Sequence, residues 1–454
     1  MEKSVSAVQE SVAIHRPRCA AARRRAAAVI CTLLLLPALY LNLNSLVSWI
    51  HPAAPPFAHL SAHCAHIPPI AAPAFHQRQR ALAATLHALN ASVYIAEPGA
   101  SAQYYANISG RSWHLSERPL LLLVAPRVSA DGTVEPRIAV LTPTFEATRA
   151  RLLPVPAEGA VVYPEWPEDV DPYQVAVDAL GVGDGTIFVD GSVRHFVVDG
   201  LAAAAPSARV LSAPVEIRQL RERKSAEELE IMRCANEVTV LAIRAVREQL
   251  YIGVRESEAH ALMDEALAAA GLEGGSSLVL FGENAALPHG SGTDRALGPH
   301  DFVLIDCGGS LHGYVSDVTR TFLLPDSSAS TRHLALWHLV HVAQARALQA
   351  AQAGVVASSV DAAARELLKT SGNGQYFTHR LGHGIGLEGH ESPYLRGGSK
   401  DVIQTGHTFS DEPGIYIEGE VGVRIEDCIY IDEEGRAVYL TEGVGAPTQS
   451  PWAP

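Results

Sequence analysis

Four carboxylates and one imidazole, spread over residues 306–426, each stand in a short motif of small or apolar residues. The motifs are Ile305-Asp306-Cys307-Gly308-Gly309, Ser316-Asp317-Val318-Thr319, Leu381-Gly382-His383-Gly384, Asp411-Glu412-Pro413-Gly414 and Arg424-Ile425-Glu426-Asp427. No structural role requires four acidic groups and one histidine in such short and distinctive motifs. We therefore interpret the five as candidate metal ligands, and the chain must fold so that these distant segments meet.

A β-hairpin is predicted to bring the two aspartates together. The apolar run 302–305 ends at Asp306, and the glycines at 308–309 permit a tight reversal before residues 314–322. Such a hairpin would place Asp317 beside Asp306.

Clustered carboxylates create an electrostatic problem that cations can solve. Strand alternation over residues 421–426 places Arg424 and Glu426 on one face, toward the site. Four converging carboxylates would carry a charge of about −4, which is unfavourable unless cations compensate or protons are taken up. Two divalent ions would remove the conflict, and they could activate water and polarise a scissile carbonyl. This donor set suits Mn²⁺ best, with Co²⁺ or Zn²⁺ as alternatives.

In order and spacing these motifs resemble the creatinase, prolidase and methionine aminopeptidase family of metallopeptidases, whose catalytic domain has the pita-bread fold. The resemblance implies that Asp306 binds one metal and that His383 and Glu412 bind the other. Asp317 and Glu426 would then bridge the pair. Glu412 would also be catalytic, because it would shuttle the proton of the attacking water.

Five further residues match the family's substrate-contacting positions or lie near them. By resemblance, His289 and His390 would be catalytic hydrogen-bond donors to the substrate carbonyl or tetrahedral intermediate, and His379 would line a proline pocket. Arg424 either pairs with Glu426 on the strand face, or anchors a substrate or a residue that supports the metal ligands, and both interpretations stay open. Arg396 is a candidate for contacting a peptide's C-terminal carboxylate.

The expected fold class is α/β (α+β), with a pita-bread catalytic domain preceded by a creatinase-type α/β domain. A chain of 454 residues predicts two to three domains. Apolar runs within residues 74–215 predict buried strands between helices, and this region resembles the N-terminal domain of proline-specific family members. The catalytic domain is expected over residues 216–454, entered through a helix whose capping box is Ser225 with Glu228.

The N-terminal 73 residues predict membrane targeting. A basic tail (1–25) precedes an apolar stretch (26–50) that is long enough to cross a bilayer. This arrangement predicts a single-pass anchor with a cytoplasmic N-terminus and an extracytoplasmic catalytic domain. A cleaved signal peptide with secretion, or an organelle-targeting segment, is the alternative. The sequons at Asn90 and Asn107 agree with a secretory route, and residues 51–73, rich in proline, predict a semi-rigid tether.

Charge and cysteine content exclude some classes of function. The net charge of −14 argues against nucleic-acid binding. Six cysteines show neither paired zinc-site spacing nor the density of a disulfide framework. Cys234, Cys307 and Cys428 are expected to be small buried apolar residues. The partners expected are a peptide substrate and, through the N-terminal helix, a membrane, while a homodimer stays open.

The resemblance predicts a peptidase that cleaves after the first residue of a substrate whose second residue is proline, of the aminopeptidase P or prolidase type. Two alternatives belong to other classes. One is a catalytically inactive relative that binds peptides or proteins, and the other is a metal-independent creatinase-type amidinohydrolase. All five candidate ligands are present, which favours the peptidase.

Overall fold

Two groups of β-sheets, one formed before residue 213 and one after residue 272, organise the computed structural model, which describes residues 55–290 and 292–454. The α-helices are α1 Ala72–Ala88, α2 Ala100–Ala106, α3 Ala147–Arg151, α4 Pro172–Leu180, α5 His195–Ala204, α6 Val215–Glu222, α7 Ala226–Arg247, α8 Glu256–Ala269, α9 Thr331–Ala350 and α10 Ala357–Thr370. The strands are β1 Val93–Ala96, β2 Leu121–Val128, β3 Val134–Pro143, β4 Glu165–Trp166, β5 Asp184–Val189, β6 Ser207–Ser212, β7 Glu273–Phe281, β8 Val303–Leu311, β9 Tyr314–Val315, β10 Val318–Phe322, β11 Gly382–Gly384, β12 Glu391–Leu395, β13 Thr408–Asp411, β14 Gly414–Ile417, β15 Val421–Arg424, β16 Asp427–Ile431 and β17 Ala437–Tyr439.

The N-terminal half is a six-stranded mixed sheet in the order β4-β3-β2-β1-β5-β6. Along β2 the side chains alternate between two cores, because successive residues of a strand point to opposite faces. Leu122 packs with Leu82 of α1 on one face, whereas Leu121 and Leu123 pack with Val177 of α4 on the other. Both faces are covered by helices, which confirms the predicted α/β class.

The C-terminal half contains the sheets β10-β8-β7 and β12-β11-β13-β16-β17, together with the hairpin β14-β15. One backbone bridge, between Thr319 and Glu426, joins strand β10 to the segment between β15 and β16. Within the first sheet Asp306 lies opposite Thr319. These pairings bring the predicted motifs to one region although more than 100 residues separate some of them.

The chain reverses direction later than predicted between the two aspartates. Strand β8 continues through residues 308–309, where it pairs with β7, and the turn lies at His312 and Gly313. Both turn residues have positive φ values, 51° and 91°, a backbone conformation that glycine tolerates best. The Gly-Gly pair is therefore a strand segment, although the hairpin itself forms as expected.

Helix α7 begins as its local sequence predicts. The Ser225 hydroxyl accepts a hydrogen bond from the Glu228 backbone amide, while the Glu228 carboxylate accepts one from the Ser225 amide. This reciprocal capping satisfies two of the unpaired amides at the helix start. The buried face of α7 then packs against β8 and α8, and Asn236 on that face reaches the backbone amide of Asp317.

The described part of the predicted tether, from residue 55 onward, is not a free linker. Phe57, Leu60 and Ile67 are buried in the same core as helix α7, and Cys64 forms a disulfide with Cys234 of that helix. Apolar side chains at these positions bury surface that a solvated tether would expose. The expectation that Cys234 is only a small apolar residue is wrong, whereas Cys307 and Cys428 are buried and free. The domain boundaries stay predictions.

The predicted membrane localisation is wrong on the evidence of the structure. Within residues 55–290 and 292–454, no helix is both long enough and apolar enough to cross a bilayer. The basic tail (1–25) and the apolar stretch (26–50) lie outside the described residues, as do residues 51–54 of the predicted tether.

Candidate metal centre

The five candidate ligands converge from separate elements onto one cavity of about 730 Å³. Asp306 lies within β8 and Asp317 just before β10, while His383 lies in β11. Glu412 follows β13 directly, and Glu426 stands between β15 and β16. The sheets described above therefore gather the side chains that the motifs singled out.

Two overlapping groups of donor atoms divide the five residues. Donor atoms of Asp306, Asp317 and Glu426 lie within 4.8 Å of one another, and so do donor atoms of His383, Glu412 and Glu426. Glu426 belongs to both groups. Asp317 approaches the second group as well, because its Oδ2 lies 3.7 Å from His383 Nε2.

His383 presents one ring nitrogen to the centre. Its Nδ1 lies 3.0 Å from the Gly384 carbonyl oxygen, which can only accept, so Nδ1 carries the proton. Nε2 faces the Glu412 Oε1 at 3.3 Å. A backbone carbonyl that fixes the tautomer of a histidine is typical of metal-binding imidazoles.

Burial and the charges of neighbouring carboxylates disfavour the ionised forms of Asp317 and Glu426. Burial, followed by the charge of Asp306, raises the pKa of Asp317 to about 8. Burial and the charge of Asp317 likewise raise the pKa of Glu426 well above its usual range. Glu412 behaves differently: burial raises its pKa, but the hydrogen bond and charge of His383 outweigh that effect and lower it. Carboxylates that resist ionisation when no cation is nearby fit a site for hard divalent cations.

Arg424 is buried, and its guanidinium pairs with the candidate ligand Asp306. Its Nη2 donates to Asp306 Oδ2 at 2.6 Å, and its Nη1 donates to the Tyr416 hydroxyl at 3.0 Å. The Tyr416 hydroxyl in turn lies 2.8 Å from His379 Nε2. Since His379 Nδ1 faces the Arg380 carbonyl, its Nε2 accepts from Tyr416. No sequence motif pointed to Tyr416, although it lies two residues after the Glu-Pro-Gly motif.

The remaining predicted residues line the same cavity. His390 approaches His383, with ring centroids 4.2 Å apart, and His289 stands across the cavity with Leu287 and Pro288. Arg396 also faces this space. A second cavity of about 1200 Å³ shares His289, Asp306 and Asp317 with the first and extends toward the N-terminal half.

Buried polar groups next to the candidate metal centre hold Glu426 in place. No sequence motif pointed to them. The Thr319 hydroxyl donates to Glu426 Oε2 at 2.6 Å, and Arg320 Nη1 donates to the Glu426 backbone oxygen at 2.6 Å. Arg320 is paired with Asp427 Oδ1 at 2.6 Å, and both side chains are fully buried. Partners of this kind orient a ligand, and their loss typically costs about 10–100-fold in metal affinity or activity.

Strand β15, which carries Arg424, packs directly on the turn that leads to His289. Gly422 lies against the backbone of Ala285, so closely that a Cβ at position 422 would overlap the Ala285 carbonyl. The absence of a side chain at Gly422 therefore sets the distance between the segments that carry Arg424 and His289.

Known proteins resemble the chain over most of its length. A sequence model described as metallopeptidase family M24 matches residues 230–433. An uncharacterized peptidase of Schizosaccharomyces pombe is 41% identical over 360 residues, 78% of this chain and 79% of that protein. The Xaa-Pro dipeptidase of Pyrococcus furiosus is 35% identical over 252 residues, 55% of this chain and 72% of that protein.

The fold is also similar to that of a solved dipeptidase. Dipeptidase PepE from Mycobacterium ulcerans matches with a TM-score of 0.73 at 31% identity, covering 85% of this chain and 100% of that one. This match, which extends over the N-terminal domain, confirms the predicted pita-bread architecture. From the matching family model and the extent of these similarities, the chain belongs to metallopeptidase family M24 and is a metallo-exopeptidase.

Proposed function

We propose that the chain is a dinuclear peptidase that hydrolyses the bond between an N-terminal residue and a following proline. The observation that carries the proposal is the pair of overlapping donor groups that share Glu426. Asp306, Asp317 and Glu426 would hold one divalent cation, and His383, Glu412 and Glu426 would hold the other. Asp317, close to both groups, would complete the bridge, and Mn²⁺ is the ion best suited to this oxygen-rich set.

The bound cations supply Lewis-acid polarisation of the scissile carbonyl and lower the pKa of water. Glu412 accepts the proton of the attacking water and delivers it to the leaving nitrogen. Its carboxylate is placed for this role because it lines the cavity, with Oε1 3.3 Å from His383 Nε2. His289 and His390 donate hydrogen bonds to the oxygen on which negative charge develops.

The cavity wall beyond the ligands supports a proline-containing dipeptide as substrate. Leu287 and Pro288 offer an apolar surface for a pyrrolidine ring. Arg380 and Arg396 stand on the same cavity, and a guanidinium is well suited to bind a terminal carboxylate. The relative from Pyrococcus furiosus is itself named an Xaa-Pro dipeptidase, which favours the dipeptidase over the aminopeptidase P type.

The proposal is tested on protein that has been stripped with a chelator and reloaded with Mn²⁺. We expect about two ions per chain and cleavage of Ala-Pro, with weaker cleavage of Ala-Pro-Ala and of Ala-Ala. Asp317→Asn should abolish turnover while the fold is kept. The exposed Asp326→Asn is the matched control and should leave turnover unchanged.

Metal analysis, combined with turnover assays on loaded and on metal-free protein, separates the alternatives. Bound metal without turnover of any Xaa-Pro peptide would indicate a binding protein that has lost catalysis. Turnover of creatine by metal-free protein would indicate the amidinohydrolase. Either result would contradict the proposed peptidase.

A further inference from the structure

The loop that carries His390 is tied to the junction between the N-terminal and C-terminal halves. This loop, residues 385–390, joins β11 to β12 and has no regular structure. Glu388 within the loop is ion-paired with Arg221 of α6, and Glu391 directly after it is ion-paired with Lys224. Both flanks of His390 are thus held by cations from residues 221–224, which span the end of α6 and the start of its connection to α7.

The Lys224–Glu391 pair is buried, with side chains only 1% and 4% exposed. Lys224 Nζ also donates to the Glu222 backbone oxygen at 3.1 Å, and Arg221 Nη2 lies 3.6 Å from Glu391 Oε2. Burying two charges costs about as much as their attraction returns, so such a pair is weak evidence of a stabilising role. A role in fixing one geometry explains its presence better.

The backbone of the loop is shaped around the pair. At Gly386 a Cβ would stand 2.7 Å from Lys224 Cε and 2.8 Å from Glu391 Oε1. The second glycine of Gly384-Ile385-Gly386 therefore leaves the space that the ion pair fills. The loop and the junction fit each other closely, and neither can shift without the other.

The N-terminal half in turn holds the junction. The Tyr104 hydroxyl donates to the Leu220 backbone oxygen at 2.7 Å, and Arg78 of α1 lies 3.3 Å from Glu228 of α7. Among the described residues, the His390 ring has an edge contact with the His383 ring and no hydrogen bond to another side chain. Its position in the cavity consequently depends on how its loop is held.

From this geometry we propose that Lys224 and Arg221 are positioning residues, which set the place of His390 in the active site through Glu391 and Glu388. The inference rests on the proposed peptidase function, in which His390 contacts the substrate. The inference gives the junction between the two halves a part in the reaction, in addition to the parts of the candidate ligands and of the residues that face the substrate.

The test is a double-mutant cycle between position 224 and position 390, read with an Xaa-Pro dipeptide. Lys224→Met should lower kcat/KM about tenfold, mainly through kcat, with two ions still bound per chain. In a His390→Ala background the same change should alter kcat/KM by less than twofold. Arg218→Met, on the exposed side of α6, is the control and should have no effect in either background.

Equal losses in both backgrounds, or loss of bound metal in Lys224→Met, would overturn the inference. If Lys224→Met does not fold, the partly exposed Glu388→Gln provides the same comparison, because its Arg221 partner acts on the same loop. A wild-type protein that binds two ions but cleaves no Xaa-Pro peptide would contradict the proposed function and this inference with it. An active wild type with additive variants would overturn only the positioning role.

Discussion

Tyr416 connects two side chains that the sequence motifs identify separately. Its hydroxyl accepts from Arg424 and donates to His379, so one phenol fixes the orientation of two groups that line the cavity of the candidate metal centre. Burial raises its pKa to about 12, which keeps the phenol protonated and able to donate. Hydrogen bonds to charged partners are among the stronger ones in proteins.

Tyr416→Phe should lower kcat/KM on an Xaa-Pro dipeptide about 10–100-fold, because Arg424 and His379 both lose a buried partner worth about 1.5–3 kcal/mol. Steady-state kinetics measure the effect. Tyr251→Phe, at an exposed position, controls for the loss of a hydroxyl. An unchanged kcat/KM would mean that the link is not used in the reaction.

His407 gives the protein an acid-sensitive position away from the ligands. It is buried, and burial followed by the charges of Lys224 and Arg223 lowers its pKa to about 4, although Asp401 opposes this. Its Nδ1 accepts a hydrogen bond from the Gln404 amide at 3.3 Å, a contact that protonation of Nδ1 would break. The folded protein therefore favours the neutral ring.

Since the folded pKa lies below the ordinary value of 6.5, the contribution of His407 to stability is present above pH 6.5 and lost as the pH falls to about 4. The loss should be on the order of 3 kcal/mol. In denaturant unfolding between these pH values, His407→Asn should show a shallower decline than the wild type. The exposed His195→Asn should decline as the wild type does, and parallel curves for His407→Asn would refute the assignment.

At the scale of elements, the disulfide changes the meaning of residues 57–67. It closes a loop of 170 residues between Cys64 and Cys234, and the segment beside it is part of the core around α7. His63 adds a contact at 2.9 Å to Glu237 of the same helix. The segment thus behaves as part of the catalytic half, although it precedes the N-terminal sheet in sequence.

Cys64→Ser should lower the free energy of unfolding by about 2–5 kcal/mol, because the unfolded chain regains the freedom that the cross-link removes. Chemical denaturation measures the change, and activity below the transition should persist. A dithiol reductant should produce the same decrease in the wild type and none in the variant. Equal stability of the two proteins would show that the cross-link is not formed.

Local signals in the sequence predicted some elements well and misplaced others. The start of α7 was correct because a capping box involves residues only three apart. The reversal at 308–309 was wrong because β8 continues there as a strand, paired with β7 and, from residue 310, also with β9, and such pairing is not encoded locally. For the same reason the Cys64–Cys234 bond was missed, since spacing alone does not reveal a partner 170 residues away.

At the scale of the whole molecule, the sequence motifs indicated the candidate ligands as a group. They did not indicate the residues that hold these ligands in place. Motif by motif, the sequence pointed to side chains that do share one cavity. Thr319 and the Arg320–Asp427 pair escaped notice because their role follows from the backbone bridge between Thr319 and Glu426. Long-range contacts of this kind appear only when the chain is folded.

Removing the metal should destabilise the protein globally, because burial, followed by the charges of neighbouring carboxylates, raises the pKa of Asp317 and Glu426, and bound cations would offset both effects. Ions that bind only the folded state stabilise it by about 2.7 kcal/mol at 100 times Kd. Calorimetry after chelation should show a lower Tm, restored by Mn²⁺. In Glu426→Gln, the increase in Tm on adding Mn²⁺ should be smaller than in the wild type. A Tm indifferent to chelation would argue against the site.

Gly422 makes the enzyme vulnerable to a very small change. Because β15 rests on the Ala285 backbone there, one methyl group would act as a wedge and push Arg424 and His289 apart together. Gly422→Ala should therefore silence turnover without adding charge or polarity, and a crystal structure of the variant would show whether the cleft has widened. Selection on this protein would then preserve the absence of a side chain at position 422 as strictly as it preserves any functional group.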